Sequence, residues 1–453
     1  MNQSTLDAIE KMPKAKQTRY KELIKKLENE PVYDAEKGVL KPYKYWSTHP
    51  VPKTNEIILK NSIIKKDPII EKPKIPSGYS TSILDINSDK DLDELMILLN
   101  NHYVGNDSFR MQYTKEHIKL FLNYPSAKKY GNISVKLYHN DKLVGFIGSS
   151  VRTFMINQVE YMMAESDFLS LHTSERKKGF VQLLIDELIY KTQQYALTMN
   201  LPIPLIGFYT GSRYLPKPFT STTYYHRPIN FEKLYKCGFV DKEEVNNMIG
   251  TKKFYDIPAS IKKNFRPLRE EDIEPLVEHL NSNALEKYDL VEKFNIEDFK
   301  YYYLDSPLVH AYVFVDEEDD EIIEDFVALY ELHSATSYID IVQKQITEMS
   351  GPKGAKKMRK RKIEAEVTKH DIIKTLYVDY YTQDSVTKLE LFQEMARLAK
   401  KLDMDVINSL NIFEAGDSLK EYKFLHGSGH LYYYYLNYKQ MDLSTTRIGK
   451  MIL

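Results

Sequence analysis

Residues 165–184 hold the densest chemistry in the chain: Glu-Ser-Asp-Phe-Leu-Ser-Leu-His-Thr-Ser-Glu-Arg-Lys-Lys-Gly-Phe-Val-Gln-Leu-Leu. Arg176, Lys177 and Lys178 run directly into Gly179. Before them, Phe168, Leu169 and Leu171 are strand formers that close an apolar run from Tyr161. After them, Val181, Leu184, Ile185 and Leu188 fall on one face of a helix. A strand, a cationic loop around a glycine and a helix N-terminus together hold phosphate. The first backbone N–H groups of the helix are free, the helix dipole favours an anion, and the lysines add charge.

The flanking sequence predicts the elements that position this loop. Leu92, Leu95, Leu98 and Leu99 predict a helix over 90–102, and a second is expected near 114–123. Strands follow at Ile133–Tyr138 and Leu143–Ser149, joined by the turn His139-Asn-Asp-Lys, and a third runs from about 158 into the loop. Helix, helix, antiparallel strands, phosphate loop, helix is the order of a GNAT-type acyltransferase domain. Arg176-x-x-Gly179 fits the pattern by which that superfamily holds the pyrophosphate of coenzyme A. A strand at Ile203–Tyr209 is followed by what reads as a long loop, 210–230, rich in hydroxyls. The second half repeats the plan. A helix opens after Phe265-Arg-Pro-Leu-Arg, strands lie at Ala311–Val315, Phe326–Leu332 and Leu376–Tyr381, and a helix covers 386–401. A last hairpin includes Phe424 and Leu431–Leu436.

The whole chain has 453 residues, too many for one ordinary core, so two or three domains are expected. Basic and acidic residues nearly cancel, 63 against 64, so no global field argues for nucleic acid or membrane. The single cysteine, Cys237, excludes an intramolecular disulfide framework and suits a reducing compartment. No apolar run reaches membrane-spanning length, and the N-terminus has no secretory core; a cytoplasmic protein is expected. Residues 1–40 read as a lysine-rich tail with an amphipathic helix, 41–240 as a first lobe and 241–453 as a second. Prolines 42, 50 and 52 predict extended backbone around Trp46, the only tryptophan. Residues 351–362 are dense in Lys and Arg; a nuclear signal, an RNA or ribosome contact, an anionic-membrane contact and a plain solvated loop all fit them.

With these segments in hand the sequence resembles the N-myristoyltransferases (glycylpeptide N-tetradecanoyltransferases), from about residue 41 onward. The family's Phe-Trp-x-Thr-x-Pro-Val-Pro-Lys is matched by Tyr45-Trp46-Ser47-Thr48-His49-Pro50-Val51-Pro52-Lys53. Its Glu-Ile-Asn-Phe-Leu-Cys-Val-His is matched in part by Glu165 to His172, and its Leu-Pro-Lys-Pro by Leu215 to Pro218. Its Tyr-Thr-Ala-Gly, Tyr-Trp-His-Arg and Lys-Phe-Gly-x-Gly-Asp-Gly correspond to Tyr209 to Ser212, Tyr224 to Arg227 and Lys423 to Gly429.

The resemblance implies an α+β fold, two pseudo-symmetric GNAT-like lobes around a large, mostly antiparallel sheet. It implies transfer of myristate from myristoyl-CoA, a cosubstrate, to the α-amino group of an N-terminal glycine, by a monomer with no metal and no acyl-enzyme. The acyl-CoA site would take Tyr43, Lys44, Tyr45 and Trp46, then Phe168, Leu169, Ser170 and Leu171, then Arg176, Lys177, Lys178, Gly179, Phe180, Val181 and Gln182. The backbone N–H groups of Phe168 and Leu169, at a strand bulge, would hold the oxyanion. Thr210 would guide the amine and the carboxylate of Leu453 would take its proton, so that removing Ile452 and Leu453 stops transfer but spares acyl-CoA binding. An α-amine titrates at about 7.7–8.0 and an α-carboxylate at about 3.3–3.7, a gap of roughly 5–6 kcal/mol that burial must narrow. The peptide groove would take Val104, Asp107, Phe109, Tyr113, Asp167, Thr210, Tyr224, His226, Tyr330, Ser334, Asn408, Gly427 and Ser428.

The chain departs from the family pattern at the same places. The family's Arg-Ser-Lys-Arg-Val-Ala-Pro becomes Arg176-Lys-Lys-Gly-Phe-Val-Gln182, the Asn before the Phe-Leu pair is Asp167, and the Asp of Gly-Asp-Gly is Ser428. Of the acidic loop only Asp107 remains, which predicts a weaker preference for lysine after the glycine. Two other readings stay open: a GNAT acetyltransferase, and a non-catalytic binder of acyl-CoA or glycyl peptides.

Overall fold

The computed structural model describes residues 32–34, 39–41, 45–53, 56–66, 70–105, 109–215, 217–240, 248–337, 370–413 and 416–449. The N-terminal helix expected before residue 31, Tyr43, Lys44, Asp107, the basic segment 351–362 and Leu453 lie outside them.

One sheet of thirteen strands runs through the described chain. In chain order its strands are β1 (Tyr79–Ile83), β2 (Val135–His139), β3 (Lys142–Ile156), β4 (Val159–Leu171), β5 (Ile206–Gly211), β6 (Thr220–Pro228), β7 (Phe265–Pro267), β8 (Leu290–Glu292), β9 (Val309–Val315), β10 (Ile323–Glu331), β11 (Thr375–Tyr381), β12 (Val406–Leu410) and β13 (Leu425–Leu436). Across the sheet they stand in the order β7-β9-β10-β11-β12-β6-β13-β5-β4-β3-β2-β1, with β8 added to β3. All neighbours are antiparallel except two pairs, β4 with β5 and β11 with β12. Each parallel pair is joined through a long helix, as a parallel crossover requires. These helices are α3 (Phe180–Thr198) in the first half and α5 (Lys388–Lys401) in the second, with α4 (Ile273–Lys287) between them in the chain. The halves therefore repeat a strand–helix–strand unit, and each sends its next strand to the other: β6 lies on β12, and β13 lies on β5.

Local signals account for the helices. The helix α1 (Asp89–His102) is capped by Ser88, whose hydroxyl accepts the Asp91 N–H at 3.3 Å, and it buries Leu92, Leu95, Leu98 and Leu99. The next helix, α2 (Lys115–Leu122), starts at Thr114 and buries Ile118, Leu120 and Leu122. The helix α5 is capped by Thr387 and buries Leu391, Phe392, Met395 and Leu398.

Five expectations change. Residues 220–228 form the central strand β6 and not a loop, because Thr, Tyr and His side chains find partners on both sides. The last hairpin is instead one continuous strand, β13, long enough to pair with β6 and β5 at once. On α3 the buried apolar positions are Phe180, Leu184, Leu188 and Ala196, while Val181 is 40% exposed; the helix is rolled so that Phe180 meets Tyr79 of β1. Around Trp46 the backbone makes a tight 3-10 turn, Trp46–Thr48, and not an extended run. Separate cores were expected from chain length. The largest apolar cluster instead joins Leu92, Phe146 and Phe208 of the first half with Phe326, Leu376 and Tyr433 of the second.

Candidate active site

The phosphate loop follows directly from the end of β4. His172 caps a short turn, its Nδ1 accepting the Ser174 N–H at 3.2 Å, and Glu175 is buried beneath it. Glu175 receives the Tyr79 hydroxyl at 2.7 Å, the Lys178 ammonium at 3.0 Å and the Ser174 hydroxyl at 3.1 Å. The Tyr79 hydrogen bond foremost, then Lys178 and Ser174, hold its carboxyl down at about 2. The loop is thus tied to the first strand of the sheet. Lys177 and Gly179 both take left-handed backbone, φ +67° and +89°, which turns the chain into α3. Gly179 is the N-cap and offers no side chain, so the N–H groups of Phe180, Val181 and Gln182 remain open to an anion.

The cations of this loop divide their work. Arg176 sends its guanidinium back onto main-chain carbonyls, Leu171 O at 3.3 Å and His102 O at 2.5 Å, which links the loop to the end of α1. Lys178 is half exposed beside Glu175. The open α3 N-terminus, with the exposed Lys177 and Lys178 before it, is therefore the part of the loop able to receive an anion.

On the upstream side, β4 carries a bulge. Asp167 pairs with Gly148 and Ser170 with Phe146, so Phe168 and Leu169 together oppose Ile147. Phe168 has φ +57°, a conformation rare for a large side chain and held by its surroundings. Its ring is buried against Tyr103 at 5.9 Å, Tyr113 at 5.6 Å and Phe121 at 6.0 Å. The Phe168 N–H meets the Tyr103 hydroxyl, and Leu169 is 36% exposed. The ring packs, and of the two bulge residues Leu169 is the open one. Ser170 and Leu171 beyond the bulge are buried in the sheet.

The turn at Tyr45–His49 lies on α3. The Tyr45 hydroxyl donates to Asp186 at 3.0 Å and His49 Nε2 meets the same oxygen at 2.9 Å. Trp46 stacks on Tyr209 of β5 with centroids 6.1 Å apart, and Tyr209 stacks on Tyr434 of β13 at 4.9 Å. Thr210 follows Tyr209 and pairs with Tyr433. The parallel ladder between β4 and β5 ends at Glu165 and Phe208, so Asp167 and Thr210 stand on strands that have parted.

The expected peptide residues divide between this region and β6, β12 and β13. His226 pairs with Asn408 across the sheet, and their side chains meet at 2.7 Å. Burial pushes the His226 imidazole towards its neutral form. Gly427 is required here, because a Cβ would stand 2.5 Å from His226 Nε2 and 2.8 Å from Tyr224 O. Tyr330 is buried and stacks on Tyr377 at 5.4 Å. Tyr113 is fixed by Asn100, which bonds both its N–H and its carbonyl, at 2.8 and 3.0 Å. Ser334 is buried in a small three-stranded sheet whose other strands are Phe109–Gln112 and His370–Ile373. Val104 is 38% exposed, with its carbonyl bonded to Met111, and Ser428 is exposed.

Sequence reasoning missed three groups. Asp186 is the anchor of the Tyr45–His49 turn. Tyr103 and Tyr377 complete the aromatic cluster. Arg152, fully buried, is held by Glu165 and by both oxygens of Glu292 at 3.0 Å. Only the last left a signal: an arginine and a glutamate inside apolar strands must find each other.

Comparison with known proteins bears on the whole chain. Residues 59–222 match the model of the myristoyl-CoA:protein N-myristoyltransferase N-terminal domain, and 236–346 with 361–450 match that of the C-terminal domain. A glycylpeptide N-tetradecanoyltransferase of Plasmodium falciparum is 30% identical over 424 residues, covering 91% of this chain and 93% of that protein. The enzyme of the same description from Dictyostelium discoideum is 28% identical, with the same coverage of 91% and 93%. A structure of Saccharomyces cerevisiae N-myristoyltransferase with bound myristoyl-CoA superposes with a TM-score of 0.75 at 23% identity, covering 91% of this chain and all of that one. Two domain models in order, covering most of the chain, show that it belongs to the myristoyl-CoA:protein N-myristoyltransferase family.

Proposed function

We propose that the chain transfers myristate from myristoyl-CoA to the α-amino group of an N-terminal glycine, by direct attack of the amine on the thioester. The observation that carries this reading is the strand–loop–helix unit of β4 and α3. One end presents the main-chain donors of a bulge and the other an open helix N-terminus in a phosphate loop. The cosubstrate has the same two needs, a carbonyl to polarise and a pyrophosphate to hold.

Charge builds on the thioester oxygen as the amine attacks. The N–H groups of Phe168 and Leu169 are the donors we assign to it, the Phe168 N–H by exchanging the Tyr103 hydroxyl for the oxyanion; in comparable sites the loss of one such donor costs about 2.7–4 kcal/mol. The Tyr45–His49 turn covers the pantetheine side, clamped to α3 through Asp186. The first lobe, 41–240, supplies the acyl-CoA site, and β6, β12 and β13 supply much of the peptide groove. The C-terminal carboxylate of Leu453 is the base that the family resemblance assigns. We place the reaction in the cytoplasm; no helix among the described residues is long and apolar enough to cross a membrane.

The test is a mass-spectrometric transfer assay with myristoyl-CoA and a peptide starting with glycine. An N-terminally myristoylated product is expected, with acetyl-CoA a poor competitor. Tight acyl-CoA binding without product would overturn the reading in favour of a non-catalytic binder. Because Ser428 and the shortened loop lack the family's carboxylates, a lysine-containing peptide and its alanine variant are expected to react at similar rates.

A further inference from the structure

We propose that Glu331 is a positioning residue of the acceptor site: with one carboxylate oxygen for His310 and the other for His333, it ties the strand that carries Ser334 to the main sheet and so sets the affinity for the peptide. This rests on the acyl-transfer reading above, in which Tyr113, Tyr330 and Ser334 belong to the peptide groove.

Strand β10 ends at Glu331, and two residues later the chain enters the small sheet as the strand His333–Ser337. Tyr330, stacked on Tyr377, stands just before Glu331, and Ser334 just beyond it pairs with Met111 and Ile373. Side chains bridge this crossing. His310 Nε2 of β9 meets Glu331 Oε1 at 2.7 Å, and His333 Nε2 meets Oε2 at 3.3 Å. The Glu331 carbonyl meets His117 Nε2 of α2 at 2.8 Å. The cap of α2, Thr114, directly follows Tyr113. One residue therefore joins the supports of all three groove residues.

The proton positions explain why a glutamate is needed. The Thr375 N–H donates to His333 Nδ1 at 3.2 Å, and the Thr114 N–H donates to His117 Nδ1 at 3.1 Å. A ring nitrogen that accepts carries no proton, so in both rings the proton sits on Nε2 and is donated to Glu331. The His310 ring makes no other hydrogen bond among the described residues and donates from Nε2 as well. Two imidazole donors need two acceptor oxygens on one side chain, which an ionised carboxylate supplies. Burial, the largest influence, opposes that charge, but the His310 and His333 hydrogen bonds and then their charges outweigh it and hold the carboxyl at about 2.

Without the bridge, the small sheet keeps its own ladder but is freed to shift against β10. Such a shift carries Ser334 away from Tyr330. It leaves the phosphate loop and the β4 bulge where they are, because neither contacts Glu331 through any hydrogen bond of that side chain.

The experiment measures steady-state transfer to a glycyl peptide, acyl-CoA affinity, and peptide affinity for protein loaded with a non-transferable thioether analogue of myristoyl-CoA. Glu331→Ala is expected to raise the peptide KM about tenfold, with kcat and acyl-CoA affinity within about twofold of the wild type. His333→Phe, which keeps a ring and loses both nitrogens, is expected to match it. Glu331→Gln is expected to stay within about twofold of the wild type in peptide KM. Its amide oxygen accepts from His333, and its NH2 group donates to His310 once that ring moves its proton to Nδ1. An unchanged peptide KM in E331A overturns the proposal. So does an equal loss of peptide and acyl-CoA binding, which marks a merely structural role, and so does an E331Q as impaired as E331A. If peptide affinity follows the expected order while the wild type transfers no myristate, the acyl-transfer reading alone fails.

Discussion

Glu175 and His49 show how single side chains set up the cosubstrate site. Glu175 adds a negative charge where phosphates must bind, so charge counting alone predicts tighter acyl-CoA binding once it is neutralised. Its contacts predict the reverse, because it ties the loop to Tyr79 and Lys178. Glu175→Gln is expected to weaken acyl-CoA binding several-fold in a calorimetric titration. Its folded pKa lies below the ordinary carboxylate value, so the tether is present above about pH 4.5 and is lost as the pH falls towards about 2. His49 has the opposite sign. Burial is the largest single influence and opposes its charge, but the Asp186 hydrogen bond, the Tyr45 carbonyl and the Asp186 charge together outweigh burial and Lys65, and the net pKa is raised. The clamp is fully present below about pH 6.5 and is lost as the pH rises through the higher folded value. The deficit in acyl-CoA affinity of His49→Ala is therefore expected to be large at pH 6 and small at pH 9.

Among the elements, β13 and β6 carry residues we assign to the acceptor peptide. They cross through the middle of the sheet and bring Gly427 under His226 with no room to spare. Gly427→Ala forces the imidazole or the Tyr224 carbonyl to move. It is expected to raise the peptide KM by tenfold or more while leaving acyl-CoA binding unchanged, which separate titrations would show. The bulge on β4 depends on the neighbouring strand in the same way. At Gly148 a Cβ would meet Leu122 of α2 at 2.8 Å, so this glycine lets the helix pack close to the bulge.

Across the whole molecule, the two halves are joined by more than the shared sheet. Glu292 sits on β8, a strand of the second half added to β3 of the first, and it grips Arg152 there. Arg152→Met leaves two buried carboxylates without their cation, and such a break costs about 3–5 kcal/mol. The variant is expected to unfold at lower denaturant, still in one transition, because the largest apolar cluster spans both halves. A first transition confined to one half would contradict this.

The local shape around residues 176–180 was legible before any coordinates, because its requirements are local: adjacent cations, a glycine able to take positive φ, and a helix beginning at once. The family, and with it the fold class and the reaction, was carried by short motifs whose order survives divergence. Helices α1, α2 and α5 were legible because capping and apolar spacing act within one segment. What stayed hidden depends on residues far apart in the chain. That 220–228 is a central strand follows from β12 and β13 arriving on either side of it. That Arg176 binds carbonyls follows from where α1 ends. Local sequence determines which backbone shapes are cheap; only the packed fold decides which side chains meet.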